Sequence, residues 1–183
     1  TGMGLKLGWT GQVAPGVTVG ATYQTKTKMS KFDKYKGLFA EQGDFDIPET
    51  YGAGIAFKAN DKLTIAGDIV QINYGSVKSI ANQGTKFPFL SASTMLGANG
   101  GAGFGWEDQT VYKLGMTYQY SPTLQMRAGY NHAKMPLTNL NTFFNILAPA
   151  TVEDHLTLGA TWTLANKSEL TVSYMHAFSK GIN

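Results

Sequence analysis

The sequence predicts an all-β fold, a transmembrane antiparallel β-barrel. Three observations predict it. Apolar and polar residues alternate with period two through most of the chain, as in strands with one greasy and one polar face. The alternating runs are about 9–13 residues long, which suits a membrane barrel better than a soluble sheet, whose strands peak near 5–6. The aromatic residues sort to the two ends of the runs and leave aliphatic residues between them.

The elements follow in order. Met3, Leu5, Leu7 and Trp9 alternate with Gly4, Lys6 and Gly8. "APG" at 14–16 turns the chain, and Pro with Gly is a strong turn signal. Val17, Val19, Ala21 and Tyr23 then alternate with Thr18, Gly20, Thr22 and Gln24. After a polar segment, Ser30 to Asp46, a second hairpin sets Tyr51, Ala53, Ile55 and Phe57 against Thr50, Gly52, Gly54 and Ala56. It turns at "AND" 59–61 and returns from Leu63 and Ile65 to about Tyr74. A long irregular segment, Gly75 to Asp108, leads to the third hairpin. There Tyr112, Leu114, Met116, Tyr118 and Tyr120 share a face, and after "SPT" Leu124, Met126, Ala128 and Tyr130 continue it. The fourth hairpin begins at His155, with Leu156, Leu158, Ala160 and Trp162 opposing Thr157, Gly159 and Thr161. "ANKS" at 165–168 turns it, and Leu170, Val172 and Tyr174 return. This makes four hairpins with tight inner turns and long outer connections. A helical period is absent over any useful length, apart from a short piece near Phe89 to Met95.

One strand breaks the pattern. In "GDIVQINY" Val70, Ile72 and Tyr74 lie on the face opposite Leu63 and Ile65. Either a bulge near Asp68 to Val70 restores the greasy register, which is the favoured reading, or these side chains enter the lumen as an apolar wall.

Membrane barrels have short periplasmic turns and longer extracellular loops. With the tight turns periplasmic, Trp9, Phe57, Tyr118, Tyr120 and Trp162 lie at the periplasmic end, and Tyr23, Tyr51, Tyr112, Tyr130 and Tyr174 at the other. Two aromatic girdles around an aliphatic band match the bilayer interfaces. The greasy face therefore meets lipid and the Gly- and Thr-rich face meets the lumen, and the location is the bacterial outer membrane. Composition agrees. The chain of 183 residues is 43% hydrophobic, yet its mean hydropathy is only −0.15, and no run reaches the roughly 18 apolar residues of a spanning helix. It has no Cys, which excludes disulfides and thiolate metal sites. Its formal charge is only +3, with Lys scattered apart from one loose cluster from Lys26 to Lys36, a weak footprint for nucleic acid, and no nucleic-acid partner is expected.

Parity predicts that the barrel is partial. The first strand runs toward a tight turn and the eighth runs away from one, whereas bacterial barrels keep both termini periplasmic. At least one strand is then expected before residue 1 and one after residue 183, so that 1–183 is one incomplete barrel domain. The competing arrangement is a closed eight-stranded barrel with both termini outside.

Several stretches carry a family resemblance. "APATVEDHLTLGATWTL" and "ELTVSYMHAF" resemble the C-terminal part of the FadL/TodX long-chain fatty acid transport family. "GWEDQTVYKLGMTYQY", "LQMRAGYNHAKMPL" and "DFDIPETYGAGIAFKANDKLTIAGDI" resemble it too, in order. The resemblance implies a 14-stranded barrel with an N-terminal hatch that passes hydrophobic substrates inward. It implies further that this chain holds strands six to thirteen, without the hatch and the first strands.

Candidate ligand-binding residues fall in two groups. Two loops are apolar for extracellular segments, one with Phe87, Phe89, Leu90, Met95 and Leu96, the other with Phe143, Phe144, Ile146 and Leu147. Such clusters mark an interaction surface; they serve as a landing site for an amphiphile or pack on each other as a lid. Inside the barrel, alternation points Lys58, Lys113 and Arg127 to the lumen, where a cation meets a carboxylate head group or an internal salt bridge with Asp68 or Glu49. Arg127 is the foremost of these, being mid-strand. Catalysis has no support: there is neither a G-x-S-x-G elbow nor an H-E-x-x-H helix. His132, His155 and His176 are dispersed, and His155 beside Glu153 and Asp154 reads as a rim cluster. "GANGGAGFG" at 97–105 is not set between a strand and a helix, so it reads as a flexible loop, not a phosphate cradle.

The expected function is diffusive uptake of hydrophobic compounds, long-chain fatty acids foremost, by a monomeric barrel in outer-membrane lipid, with no cofactor, no metal and no enzyme activity. The alternative is a small structural or adhesive barrel whose loops bind a surface partner.

Overall fold

The computed structural model describes residues 1–84, 93–142 and 144–181. Ten strands form. Two are short, β1 (Gly2–Met3) and β4 (Lys28–Met29), and they pair with each other. The others are β2 (Lys6–Ala14), β3 (Val17–Gln24), β5 (Glu49–Lys58), β6 (Leu63–Asn73), β7 (Gln109–Ser121), β8 (Leu124–Ala133), β9 (Asp154–Thr163) and β10 (Glu169–Ala177). They make one antiparallel sheet in the order β10-β9-β8-β7-β6-β5-β3-β2. Each long strand pairs with its sequence neighbour, and β2 and β10 do not pair with each other.

The turns follow from their residues. Gly16 takes the left-handed conformation (φ 76°) between β2 and β3, which only Gly adopts freely. Asn60 accepts from the amides of Lys62 (2.8 Å) and Leu63 (2.9 Å) with its side-chain oxygen, an Asx turn that starts β6. Asn166 does the same for Ser168 (3.0 Å) ahead of β10.

Side chains alternate across the sheet, and the outward row is apolar and exposed. Trp9, Ile55, Leu114, Leu158 and Val172 are among the exposed large residues. The two aromatic levels run as slanted lines through the register. From Tyr174 on β10 the pairing leads through Leu158, Ala128, Met116 and Ile65 to Phe57 on β5. Phe57 lies six residues (57 − 51) along β5 from Tyr51, the girdle residue of that strand. Five strand spacings of about 4.8 Å across and six residues of about 3.3 Å along give a slant of about 40°, inside the roughly 35–45° tilt of membrane-barrel strands. The opposite girdle slants the same way. Trp162 on β9 lies four residues (162 − 158) beyond Leu158, which stands in register with Phe57, for a slant of about 35°. In a bilayer the two slanted lines become two level rings.

Strand β6 corrects one expectation. Its pairing is unbroken with β5, from Glu49↔Asn73 to Lys58↔Thr64, and with β7, from Leu63↔Tyr118 to Ile72↔Gln109. No bulge restores the greasy register at Asp68 to Val70. Gly67 and Ile69 continue the outward face, and Val70 and Ile72 stand on the inward one. The bulges that do occur lie at tight turns, between Gln12 and Ala14 and between Gln119 and Ser121.

The long connections gather at the other end and tie to one another. Gln42 N–H donates to Gly97 O (2.8 Å), Lys78 pairs with Glu41 (2.7 Å), and Trp106 Nε1 donates to Asn145 Oδ1 (2.6 Å). Lys78–Ala81 forms a single helical turn. The glycine-rich stretch is packed, not an open loop: Gly101, Ala102, Gly103 and Gly105 are buried. Gly105 takes φ 66° against the side chain of Asn141, where a Cβ would collide. The expected short helix near Phe89 to Met95 falls largely outside the described residues.

Candidate functional site

The loop cap folds over the polar face of the sheet, which makes that face the lumen wall. A hollow of about 280 Å³ between them is lined by Tyr74, Trp106, Val111, Asn131, Ala133, Pro136, Pro149 and His155, among others. Lumen residues stand in register rows. At the loop end Val70, Val111 and Ala133 face one another across β6, β7 and β8, and Val111 and Ala133 are buried. This is the apolar wall that an unbulged β6 supplies. One row deeper stand Asp68, Lys113, Asn131 and His155, on four successive strands. Deeper still come Ala66, Gly115 and Gly129, then Thr64, Thr117 and Arg127.

The predicted cations do not converge. Lys113 and Arg127 both face the lumen, but Arg127 is in register with Thr117, four residues from Lys113, or about 13 Å along the wall. Arg127 binds neutral partners: Nη1 donates to Thr161 Oγ1 (2.7 Å) and Nη2 to Gln125 Oε1. Lys113 makes no ion pair among the described residues, although Asp68 stands directly opposite. The Asp68 carboxylate leans over Gly54 instead, into space that a side chain there would fill. Lys58 is spoken for at its turn, where Nζ lies 2.9 Å from Asp61 Oδ1. Lys58 also holds the Asp61 carboxyl below the usual carboxylate range. Glu49 is no lumen partner. It sits on the outward face, where its oxygens accept from Tyr23 Oη (2.5 Å) and Asn73 Nδ2 (2.8 Å).

The rim cluster forms around a different histidine from the one expected. His132 Nδ1 is 2.7 Å from Asp154 Oδ1, which also accepts from Tyr130 Oη, all on the outward face. His155, one residue on, turns inward. Beside this cluster Glu153 accepts from Lys180 Nζ (2.9 Å) and from Met135 N–H (3.0 Å). Lys180 first, and then the Met135 amide, holds the Glu153 carboxyl below its ordinary range.

Of the predicted loop residues, Ile146 and Leu147 are 71% and 75% exposed, and Leu140 joins them at 75%. Phe87, Phe89, Leu90 and Phe143 lie outside the described residues, and so does the side chain of Phe144. The segment is held from below by Asn141, only 1% exposed. Its Nδ2 donates to Gln83 Oε1 (2.8 Å) and Thr138 Oγ1 (2.6 Å), and its Oδ1 accepts from Gly84 N–H (2.6 Å). The apolar residues are thus presented on an anchored platform.

Sequence reasoning did not single out Asn131 or Trp106; it read His155 as part of a rim cluster and offered Tyr74 only as one member of an inward apolar wall. Tyr74 and Trp106 pack edge to face, centroids 5.1 Å apart, and burial pushes the Tyr74 hydroxyl pKa up. Only the pairing across the long 134–153 connection brings Asn131 and His155 together.

An aliphatic outward face bounded by slanted aromatic girdles, with a polar inward face under a loop cap, defines the wall of an outer-membrane β-barrel. The pattern of the outer membrane protein transport protein family (OMPP1/FadL/TodX) matches residues 1–183, and the chain belongs to that family. No curated relative matches by sequence. Among solved structures the chain is similar to the P. putida toluene transporter TodX, with 20% identity, a TM-score of 0.60, and 94% of this chain and 41% of that one covered. A Pseudomonas aeruginosa FadL homologue gives 16%, 0.63, 94% and 42%. Salmonella typhi OmpF gives 16%, 0.53, 100% and 44%. At these identities the likeness is one of fold, and the chain spans less than half of each structure.

Proposed function

We propose that this chain forms part of the wall of a channel through which hydrophobic compounds, long-chain fatty acids foremost, diffuse inward across the outer membrane. The observation that carries this reading is the order of groups down the lumen face. Exposed Ile146 and Leu147 stand at the mouth, the Val70–Val111–Ala133 row comes next, and Lys113 follows without an ion-pair partner among the described residues. An acyl chain leaving water gains about 0.8 kcal/mol for each methylene buried, which the mouth and the apolar row supply. Lys113 then offers a carboxylate an ammonium with three donors. Arg127, deeper and hydrogen-bonded to neutral groups, is a second station for the same head group. The barrel works as a monomer in outer-membrane lipid, and passage is down the gradient.

Uptake by cells that depend on the protein tests this. Lys113→Met should lower uptake of a long-chain fatty acid severalfold and leave a neutral alkane of the same length unaffected. Polar substitution of Ile146 and Leu147 together should lower both. Fatty-acid uptake unchanged in Lys113→Met removes the head-group role.

A further inference from the structure

The hollow under the loop cap contains a pair of polar atoms that the protein itself leaves unserved. Asn131 Oδ1 and His155 Nδ1 are both enclosed, and neither has a hydrogen-bond partner among the described residues. They belong to residues paired directly across β8 and β9, and both residues line the same hollow. The rest of the lining is mixed: Val111, Ala133, Tyr74, Trp106, Pro136 and Pro149 are apolar or aromatic, and Gln109, Thr151 and Glu153 are polar. Gln109 and Glu153 already have partners, in Lys134 O and in Lys180 with the Met135 amide. Enclosed polar atoms are ordinarily hydrogen-bonded, so two adjacent bare polar atoms in a hollow that also offers aromatic and aliphatic surface have the make-up of a ligand site. At about 280 Å³ it falls just below the range of about 300–1,000 Å³ for drug-sized ligands, which suits a smaller compound.

We propose that this hollow recognises the hydroxyl group of a small hydrophobic compound, an alcohol or a phenol. The argument rests on donor and acceptor counts. Asn131 Oδ1 can only accept, while His155 Nδ1 donates or accepts according to its tautomer. A hydroxyl has one proton and two lone pairs. It therefore donates to Asn131 Oδ1 and at the same time accepts from a protonated His155 Nδ1. A carboxylate has no proton for Asn131, and a hydrocarbon leaves both atoms bare. A site whose buried polar groups await a hydroxyl rejects the analogue that lacks one far more strongly than an apolar pocket rejects a missing methylene. The ring or chain of the compound packs against Trp106, Tyr74 and Val111. The site rests on the channel reading only for the compound's access to the lumen, and it adjoins the Lys113 station, since Lys113 pairs with Asn131 across β7 and β8.

The test is equilibrium binding to the full-length protein in detergent, with 4-ethylphenol and ethylbenzene as a matched pair. The expected result is a preference for the phenol of about tenfold or more. Asn131→Leu, which keeps the volume and removes the acceptor, should erase that preference. Equal binding of the two compounds by the unaltered protein overturns the proposal, as does a preference that survives Asn131→Leu. The first comparison uses no variant, so a misfolded variant cannot mask the answer. Equal binding would leave the channel reading standing, because that reading is decided by uptake.

Discussion

The two faces of the same eight-stranded sheet obey opposite rules. On the outward face, large aliphatic and aromatic residues lie open, with Leu114 58% and Leu158 49% exposed. On the inward face the rows carry Gly, Ala, Thr and charged side chains, and an apolar row, Val70–Val111–Ala133, lies under the loop cap. A soluble sheet hides its greasy face and shows its polar one. Here the reverse holds, and the slanted girdles fix the reason: the medium outside the wall is hydrocarbon between two interfaces. The difference teaches that stability is set outside the sheet and selectivity inside it, so substitutions should sort by face.

The sharpest contrast is a charge placed on each face. Leu114→Arg, mid-strand and outward, should cost about 2–4 kcal/mol of folding free energy in a bilayer. Thr18→Arg, inward, should stay within about 0.5 kcal/mol. Urea unfolding in lipid vesicles measures both, and equal costs would break the comparison. A smaller and local effect belongs to the cap. Asn141→Ala leaves the Gly84 amide without its acceptor, at about 1–3 kcal/mol. Hydrogen exchange should show faster amides in 83–84 and 138–147 and unchanged strands β7 and β8; exchange that quickens in the strands instead would mean that cap and wall are one unit.

The smallest effect is one of pH. The folded-state pKa of Glu153 is lowered by Lys180 and the Met135 amide, so the tether is in force above the ordinary Glu range. It is lost as pH falls through the lowered value. Lys180 is shifted upward by the same partner, so it keeps its charge to higher pH than an ordinary Lys. Protection of the Met135 amide, corrected for the intrinsic rate, should persist at neutral pH and fall only below the ordinary Glu range. Protection indifferent to acid would show that the carboxylate does not hold that amide.

Much of this was legible in the sequence because side-chain period and turn residues are local. Alternation gave all four hairpins, both girdles and the direction of Lys113 and Arg127. Hairpin register is equally local: "SPT" already sets Lys113 opposite Asn131. Two kinds of information were not local. The pairing of β8 with β9 crosses the 134–153 connection, so nothing in the sequence brings His155 beside Asn131. The break in "GDIVQINY" is compatible with a bulge or with an inward apolar row, and only the unbroken ladder to both neighbours decides. Glu49 and His132 were misjudged for a related reason. Their partners come from other strands: Tyr23 and Asn73 for Glu49, and Asp154 for His132.

Orientation of β7 in a bilayer tests the central claim most directly. The chain has no Cys, so single cysteines at 111–118 report without interference. A water-soluble maleimide should label Lys113→Cys and spare Leu114→Cys and Met116→Cys, while spin-labelled lipid tails should quench a fluorophore at the latter two and not at the first. Labelling at 114 and 116 as fast as at 113, with no quenching by lipid, would contradict the claim that this aliphatic face is solvated by acyl chains.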